Sequence, residues 1–261
     1  MNRILLVSMS RSGTSHLSNE IRKKFVNETK DYIWFNQELL FSNHWDNTSS
    51  DIHKKLKLQI NAHGYDFNSV IKSHNTIKET ILDILRKKDQ YVIKYSGGES
   101  EDFFSNSEML ELVKELKLKI VFLYRENIID KVHSHIIIKN YGYLDDPKDI
   151  NLNKNFCYIT QSINAAIWGY TSFDSLYKIF NQIDNSCILK YSDLTFDGTD
   201  HHNVINSDII IPPSTKKIVN NKIKNKLNSR MPELTQQVLE LLKNTSLRYD
   251  KNLNYILPKS V

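Results

Sequence analysis

Residues 4–17, ILLVSMSRSGTSHL, constrain the fold more than any other stretch of the chain. Ile4, Leu5, Leu6 and Val7 form the continuous apolar run expected of a parallel strand covered on both faces. Ser8 to Thr14 is small and polar and includes Gly13, which reaches backbone angles closed to other residues. Leu17, Ile21 and Phe25 then recur every four residues, the spacing of a helix under way by about residue 14. A strand that feeds such a loop into a helix N-terminus makes an anion site, because free N–H groups and the helix dipole converge there. Arg11 adds a full charge and a forked donor set suited to phosphate or sulfate oxygens.

The loop is not a standard nucleotide-triphosphate loop, which requires G-x-x-x-x-G-K-[ST]. Ser8 stands at that motif's first glycine, and Thr14 follows Gly13 with no lysine between. The short form R-S-G-T-S followed by an apolar helix instead resembles the 5′-phosphosulfate loop of sulfotransferases.

Residues 119–138, KIVFLYRENIIDKVHSHIII, repeat the pattern of a buried strand leading into a helix. Ile120 to Tyr124 make the strand, and Arg125 stands at its C-terminal end, where ligands bind in open parallel sheets. Ile128, Ile129, Val132 and Ile136 supply the apolar face of the helix, and Ser134 lies about 200° around the axis from Val132. The segment resembles the 3′-phosphate element of bacterial-type carbohydrate sulfotransferases, in which a strand-end arginine and a helical serine grip the nucleotide. Here Arg125 and Ser134 are nine positions apart. A third segment, Tyr191-Ser192-Asp193-Leu194, resembles that family's Y-E-D-L strand, preceded by a helical stretch near 156–181 that carries Trp168 and Leu176. Ser192 departs from the usual glutamate, so a contact from that carboxylate is expected to be missing. The resemblance covers about residues 3–197 and leaves 42–75 and 198–230 unmatched.

It implies a donor, 3′-phosphoadenosine-5′-phosphosulfate (PAPS), with 3′,5′-ADP as product and no metal. Arg11, Ser12, Gly13, Thr14 and Ser15 would hold the 5′-phosphate, and Arg125 and Ser134 the 3′-phosphate. An acceptor hydroxyl also needs a base. Glu38 is the candidate the resemblance favours, although an acidic residue there also suits the start of a helix. His74, in Ile71-Lys72-Ser73-His74, resembles the K-T-H element of cytosolic sulfotransferases, but its 51 residues to Arg125 make a poor match. Lys94 ends the strand Tyr91–Lys94 and resembles the lysine that precedes the 3′-phosphate segment in bacterial relatives; a surface lysine at a strand end is the plainer alternative.

Composition agrees with a globular enzyme of 261 residues, 40% hydrophobic and 25% charged. A net charge of +5 suits an anionic donor and is too small and dispersed to argue for nucleic acid. Cys157 and Cys187 show no metal-ligand spacing, Cys187 opens an apolar strand as a buried thiol, and a reducing compartment is the simpler assumption. The first strand begins by residue 4, which leaves no room for a signal peptide, and no apolar run approaches the ~20 residues of a membrane span. A soluble, cytoplasmic protein is the expectation.

Strands alternate with helices along the chain. A strand or turn is expected near Tyr32–Phe35, and strands near Tyr91–Lys94, 120–124 and Cys187–Tyr191. Helices are expected near Ile77–Lys88, Asn106–Leu116, 156–181 and after Pro232, where Leu234, Val238, Leu241 and Leu242 share a face. The expected fold class is α/β: a P-loop-like parallel β-sheet flanked by helices on both faces, as in sulfotransferases, in a single domain spanning 1–261. The polar segments 42–75 and 198–230 are expected to act as lid or substrate segments, with Trp45, Tyr65 and Phe67 lining an acceptor cleft.

His44, Asp46, Asp51, His53 and His63, and Asp200 with His201 and His202, have no compact ligand pattern and read as solvated loop residues. The leading expectation is sulfuryl transfer to an acceptor hydroxyl, most readily of a carbohydrate. A nucleoside or small-molecule kinase with a divergent phosphate loop, and a non-catalytic nucleotide- or glycan-binding protein, stand as alternatives.

Overall fold

A computed structural model of the chain describes residues 2–9, 11–14, 17, 18, 21, 33, 34, 40, 45, 51–95, 103–141, 157–192 and 231–258. Among these residues five strands form one sheet: β1 (Asn2–Ser8), β2 (Ile33–Trp34), β3 (Gln90–Tyr95), β4 (Lys119–Tyr124) and β5 (Ser186–Lys190). Their order is β2-β3-β1-β4-β5, and every neighbouring pair is parallel. Each strand expected from an apolar run is present, with ends shifted by one or two residues. β1 sits in the centre because it is apolar on both faces. Leu5 and Val7 enter one core with Ile93, Tyr95, Ile120 and Phe122, while Ile4 and Leu6 enter the other with Val92, Val121, Leu123 and Leu189.

Helices cover both faces. Leu17 and Ile21, both helical and buried, close the second face directly after the loop that follows β1. On the first face lie α1 (Asp51–Ala62), α2 (Phe67–Val70), α3 (His74–Lys87), α4 (Asn106–Leu116), α5 (Ile128–Tyr141), α6 (Ile159–Phe180) and α7 (Met231–Leu242). Local chemistry fixes their ends. The Ser73 hydroxyl accepts from the Thr76 N–H at the start of α3. Ser105 and Glu108 form a reciprocal capping box on α4, which ends at Lys117 in a left-handed conformation. No helix among the described residues is long and apolar enough to cross a membrane.

Several expectations are corrected. The stretch 42–68 is not simply polar. In α1, His53, Leu56 and Ile60 face inward at helical spacing while lysines cover the outside. Trp45 and Phe67 do not line a cleft: both are buried and stack on each other with ring centroids 5.9 Å apart. Tyr65 gives its hydroxyl proton to the Asp83 carboxylate. His53 is not a solvated loop residue but lies buried on α1, edge-on to Phe67 at 5.0 Å. Cys187 is half-buried rather than buried, because β5 is a sheet edge, and partial burial raises its thiol pKa; Cys157 is exposed. Segment 198–230 lies outside the described residues.

The chain leaves β1 toward β2 and β3, then crosses β1 to reach β4 and β5. The connections therefore diverge between β1 and β4, and in open parallel sheets the carboxyl ends at such a point form the binding crevice.

Candidate anion-binding site

Register brings the site together. Ser8 pairs with Leu123, so Arg11 and Arg125 both leave the sheet at the carboxyl edge of adjacent strands; Lys94, paired with Leu6, lies one residue from the same edge of β3. Lys94 is buried, and alternation puts it on the face of Val92 and Leu17.

The loop after β1 is tightly wound. Arg11 has φ of 62° and Gly13 of 80°, with Ser12 between them. Alternation of this kind turns successive N–H groups toward one side, the geometry of an anion nest. For a non-glycine residue the left-handed region costs roughly 1–2 kcal/mol, a strain of the kind that concentrates at ligand sites. Ser12 is fully buried, and its hydroxyl finds no hydrogen-bond partner among the described residues. The Thr14 hydroxyl donates to Ser8 Oγ at 3.0 Å, which braces the loop against the strand end, and the Leu17 N–H donates to the Gly13 carbonyl at 3.0 Å to open the helix.

One contact joins this loop to the second motif. Arg11 Nε donates to Ser134 Oγ at 3.1 Å, although the two are 123 positions apart in the chain. Ser134 is buried on α5 and faces the loop. Arg125 is also buried; its guanidinium lies 3.9 Å over the Tyr191 ring, and one terminal nitrogen donates to the Asp130 carbonyl at 3.0 Å. Its Nε has no hydrogen-bond partner among the described residues. The Tyr170 hydroxyl holds the Arg125 carbonyl at 2.7 Å. The carboxylate expected to be missing beside Ser192 arrives from the other side. Glu126, next to Arg125, accepts from the Ser192 N–H and from its hydroxyl.

Residues 247–258 close the turn between β4 and α5. The Ile128 N–H donates to the Leu253 carbonyl at 3.0 Å, the Tyr255 N–H to the Glu126 carbonyl at 2.8 Å, and the Tyr255 hydroxyl to buried Asp174 at 2.7 Å. Burial and that carboxylate together push the Tyr255 hydroxyl pKa well up.

The electrostatics of the cluster are one-sided. His135 on α5 has its pKa depressed to about 3, first by burial and then by the positive charges of Lys131, Arg11, Arg125 and Lys139. Lys131, fully buried, is driven well below the usual amine range by burial and by Arg125. Lys131, His135 and Tyr170 are not evident from the sequence, and Tyr191, singled out there, is given no contact with Arg125. The signal for the first two was present: 131, 134 and 135 share a helix face, so any ligand near Ser134 has them as neighbours.

Phosphate-bearing ligands fit this donor set, whose buried Ser12 hydroxyl and Arg125 Nε have no acceptor among the described residues. Two of the expected residues, Ser15 and Glu38, lie outside the described residues. His74 begins α3 at the surface, edge-on to Phe103 at 5.3 Å. Among the described residues no group of His, Cys, Asp and Glu could hold a metal ion.

No family model and no curated protein matches the chain. A solved chain from the PezAT chromosomal toxin–antitoxin system of Streptococcus pneumoniae is similar with a TM-score of 0.39 at 10% identity, over 89% of this chain and 87% of that one. A likeness that weak carries no argument about function.

Proposed function

We propose that the chain is a sulfotransferase that moves a sulfuryl group from PAPS to an acceptor hydroxyl of a carbohydrate. The observation that supports this reading most is the Arg11–Ser134 contact, which makes one site of the loop that resembles a 5′-phosphosulfate cradle and the helix that resembles a 3′-phosphate grip. Arg11, Ser12, Gly13 and the loop N–H groups would hold the 5′-phosphate, with Ser15 assigned by the resemblance alone; Thr14 braces the loop through Ser8. Arg125 and Ser134 would hold the 3′-phosphate. As in phosphoryl transfer, catalysis would come from alignment and from charge stabilisation on the leaving side.

In the transfer, the acceptor oxygen bonds to sulfur as the bond between sulfur and the 5′-phosphate oxygen breaks, 3′,5′-ADP departs, and the acceptor's proton passes to a base. Glu38 is the proposed base. Lys94, near the carboxyl edge of β3, would stabilise the sulfuryl oxygens.

Thermal-shift screening tests the reading first: stabilisation by 3′,5′-ADP without magnesium is expected, and stabilisation by Mg-ATP alone would favour a kinase. Labelled PAPS with a panel of glycans, tyrosine peptides and small alcohols then reads transfer by mass spectrometry. Binding of 3′,5′-ADP with no sulfated product from any acceptor would favour a non-catalytic protein. Glu38→Gln is expected to abolish transfer while 3′,5′-ADP still binds.

A further inference from the structure

Lys131 is the most unusual side chain in the described residues. It is wholly buried, and its Nζ has no hydrogen-bond partner among them. Its Nζ lies 4.6 Å from the centroid of the Tyr170 ring. A lysine in a helix ordinarily extends its ammonium to water, and one that is buried ordinarily meets a carboxylate or a carbonyl. Here the charged neighbour that acts on it is another cation, Arg125. Burying an unpaired amine beside a guanidinium is costly and does nothing for the fold on its own.

The position of Lys131 supplies a reason. Lys131, Ser134 and His135 occupy i, i+3 and i+4 of α5 and so form one stripe. Ser134 in that stripe meets Arg11. Arg125, immediately before the helix, carries a second orphaned donor at Nε. Two buried donors without acceptors, on adjacent elements and inside a cationic cluster, call for an anion with several oxygens and more than one charge.

We propose that Lys131 is a direct ligand of the donor's 3′-phosphate, acting beside Arg125 and Ser134. This rests on the PAPS reading above and adds a residue that the resemblance does not supply. The groups that face the amine are Arg125 from the end of β4, Tyr170 from α6 and His135 from its own helix, with Glu126 and Asp130 acting on Tyr170 from the turn. In the free protein burial and the Arg125 charge disfavour the protonated amine. A phosphate dianion at this point reverses the balance, so binding draws a proton onto Nζ.

Titration calorimetry on the full chain at pH 8 tests this, with 3′,5′-ADP and 5′-AMP as ligands, in two buffers of different ionisation enthalpy. At that pH the phosphates are dianionic, and His135, with its pKa near 3, does not titrate. Wild type is expected to take up protons on binding 3′,5′-ADP and not on binding 5′-AMP. Lys131→Met, which keeps the length and removes the amine, is expected to weaken 3′,5′-ADP by roughly ten- to a hundredfold, leave 5′-AMP unchanged and abolish the proton uptake. Lys131→Gln provides the same comparison should the methionine variant fail to fold by circular dichroism. Equal affinity of variant and wild type for 3′,5′-ADP, equal losses for both ligands, or proton uptake that persists in the variant would each overturn the role of Lys131 while leaving the donor assignment standing. A wild-type chain that binds no 3′,5′-ADP would overturn the donor assignment, and this proposal with it.

Discussion

Along α3 and α4 the basic side chains meet acidic ones at the surface: Lys78 with Glu108 at 2.5 Å, Arg86 with Glu115 at 2.7 Å and Lys87 with Asp83 at 2.6 Å. At the carboxyl edge of β1 and β4 the arrangement is reversed. There Arg11 and Arg125 gather with Lys131 and His135, whose pKa values are depressed by burial and by the neighbouring cations; Arg125, Lys131 and His135 are buried and Arg11 is half-buried. Surface pairs in water are worth little individually, and their partners move the pKa of Glu108 down to about 2 without any need for burial. The buried cluster destabilises the fold in which it sits. A protein keeps such a cluster where a ligand, not the fold, supplies the countercharge. The α3–α4 surface is therefore an internal control for the anion site, and the two regions should respond differently to the same experiments.

The largest effect is expected at Arg125. Arg125→Ala should weaken 3′,5′-ADP by roughly ten- to a hundredfold and barely change 5′-AMP, whereas Arg11→Ala should weaken both. Calorimetry on the two variants with the two ligands reads this. Matching losses for both ligands in Arg125→Ala, with circular dichroism unchanged, would break the distinction between the two phosphates.

A smaller effect concerns acid. His135 is neutral in the native protein down to about pH 3, whereas in the unfolded chain it takes up a proton near its ordinary value of 6.5. Between those values the unfolded state binds more protons, so native stability is full above about pH 6.5 and falls as pH drops toward 3. At pH 5 the loss is on the order of 2 kcal/mol. Urea denaturation across that range should show a flatter pH dependence for His135→Gln. A slope identical to wild type would remove His135 from the cluster's electrostatics.

Next is the turn that carries Arg125. Glu126→Gln weakens the acceptor of the Ser192 N–H and hydroxyl and should cost about 1–2 kcal/mol in stability. 3′,5′-ADP affinity should fall with it, because the turn aims Arg125. Loss of stability with affinity intact would show that the turn is not what positions the guanidinium. The smallest effect belongs to the control surface. Ser105→Ala removes one half of the α4 capping box and should cost about 1 kcal/mol in urea denaturation with no change in ligand affinity. A ligand effect there would sink the contrast between the two regions.

What was legible in the sequence follows the same division. β1, β3 and β4 are nearly unbroken apolar runs, which only doubly covered parallel strands require, and α3, α4 and α7 carry clean apolar stripes with Ser73, Ser105 and Pro232 at their starts. α1 escaped notice because its inward face is only His53, Leu56 and Ile60 among many lysines. Trp45 and Phe67 were assigned to a cleft because aromatic residues in a polar stretch look exposed; packing against each other and the main core explains them better. Arg11, Arg125 and Ser134 could be picked out by position relative to strand ends. Lys131 and His135 share the helix face of Ser134, but a lysine and a histidine on a helix draw no attention until that face is known to be buried beside Arg125.

Residues 247–258, which close the turn beside Arg125, bear on how the protein is made. Asn127 donates to Asn254, 127 positions further along the chain. At translation rates of about 5–20 residues per second, the ribosome needs roughly 6–25 s to cover that distance. For that interval a nascent chain has its central strands but lacks the clasp that fixes the turn after β4. The turn that carries Arg125 is thus the last part of the cationic cluster to be fixed, and it closes only after every described strand and helix has been made.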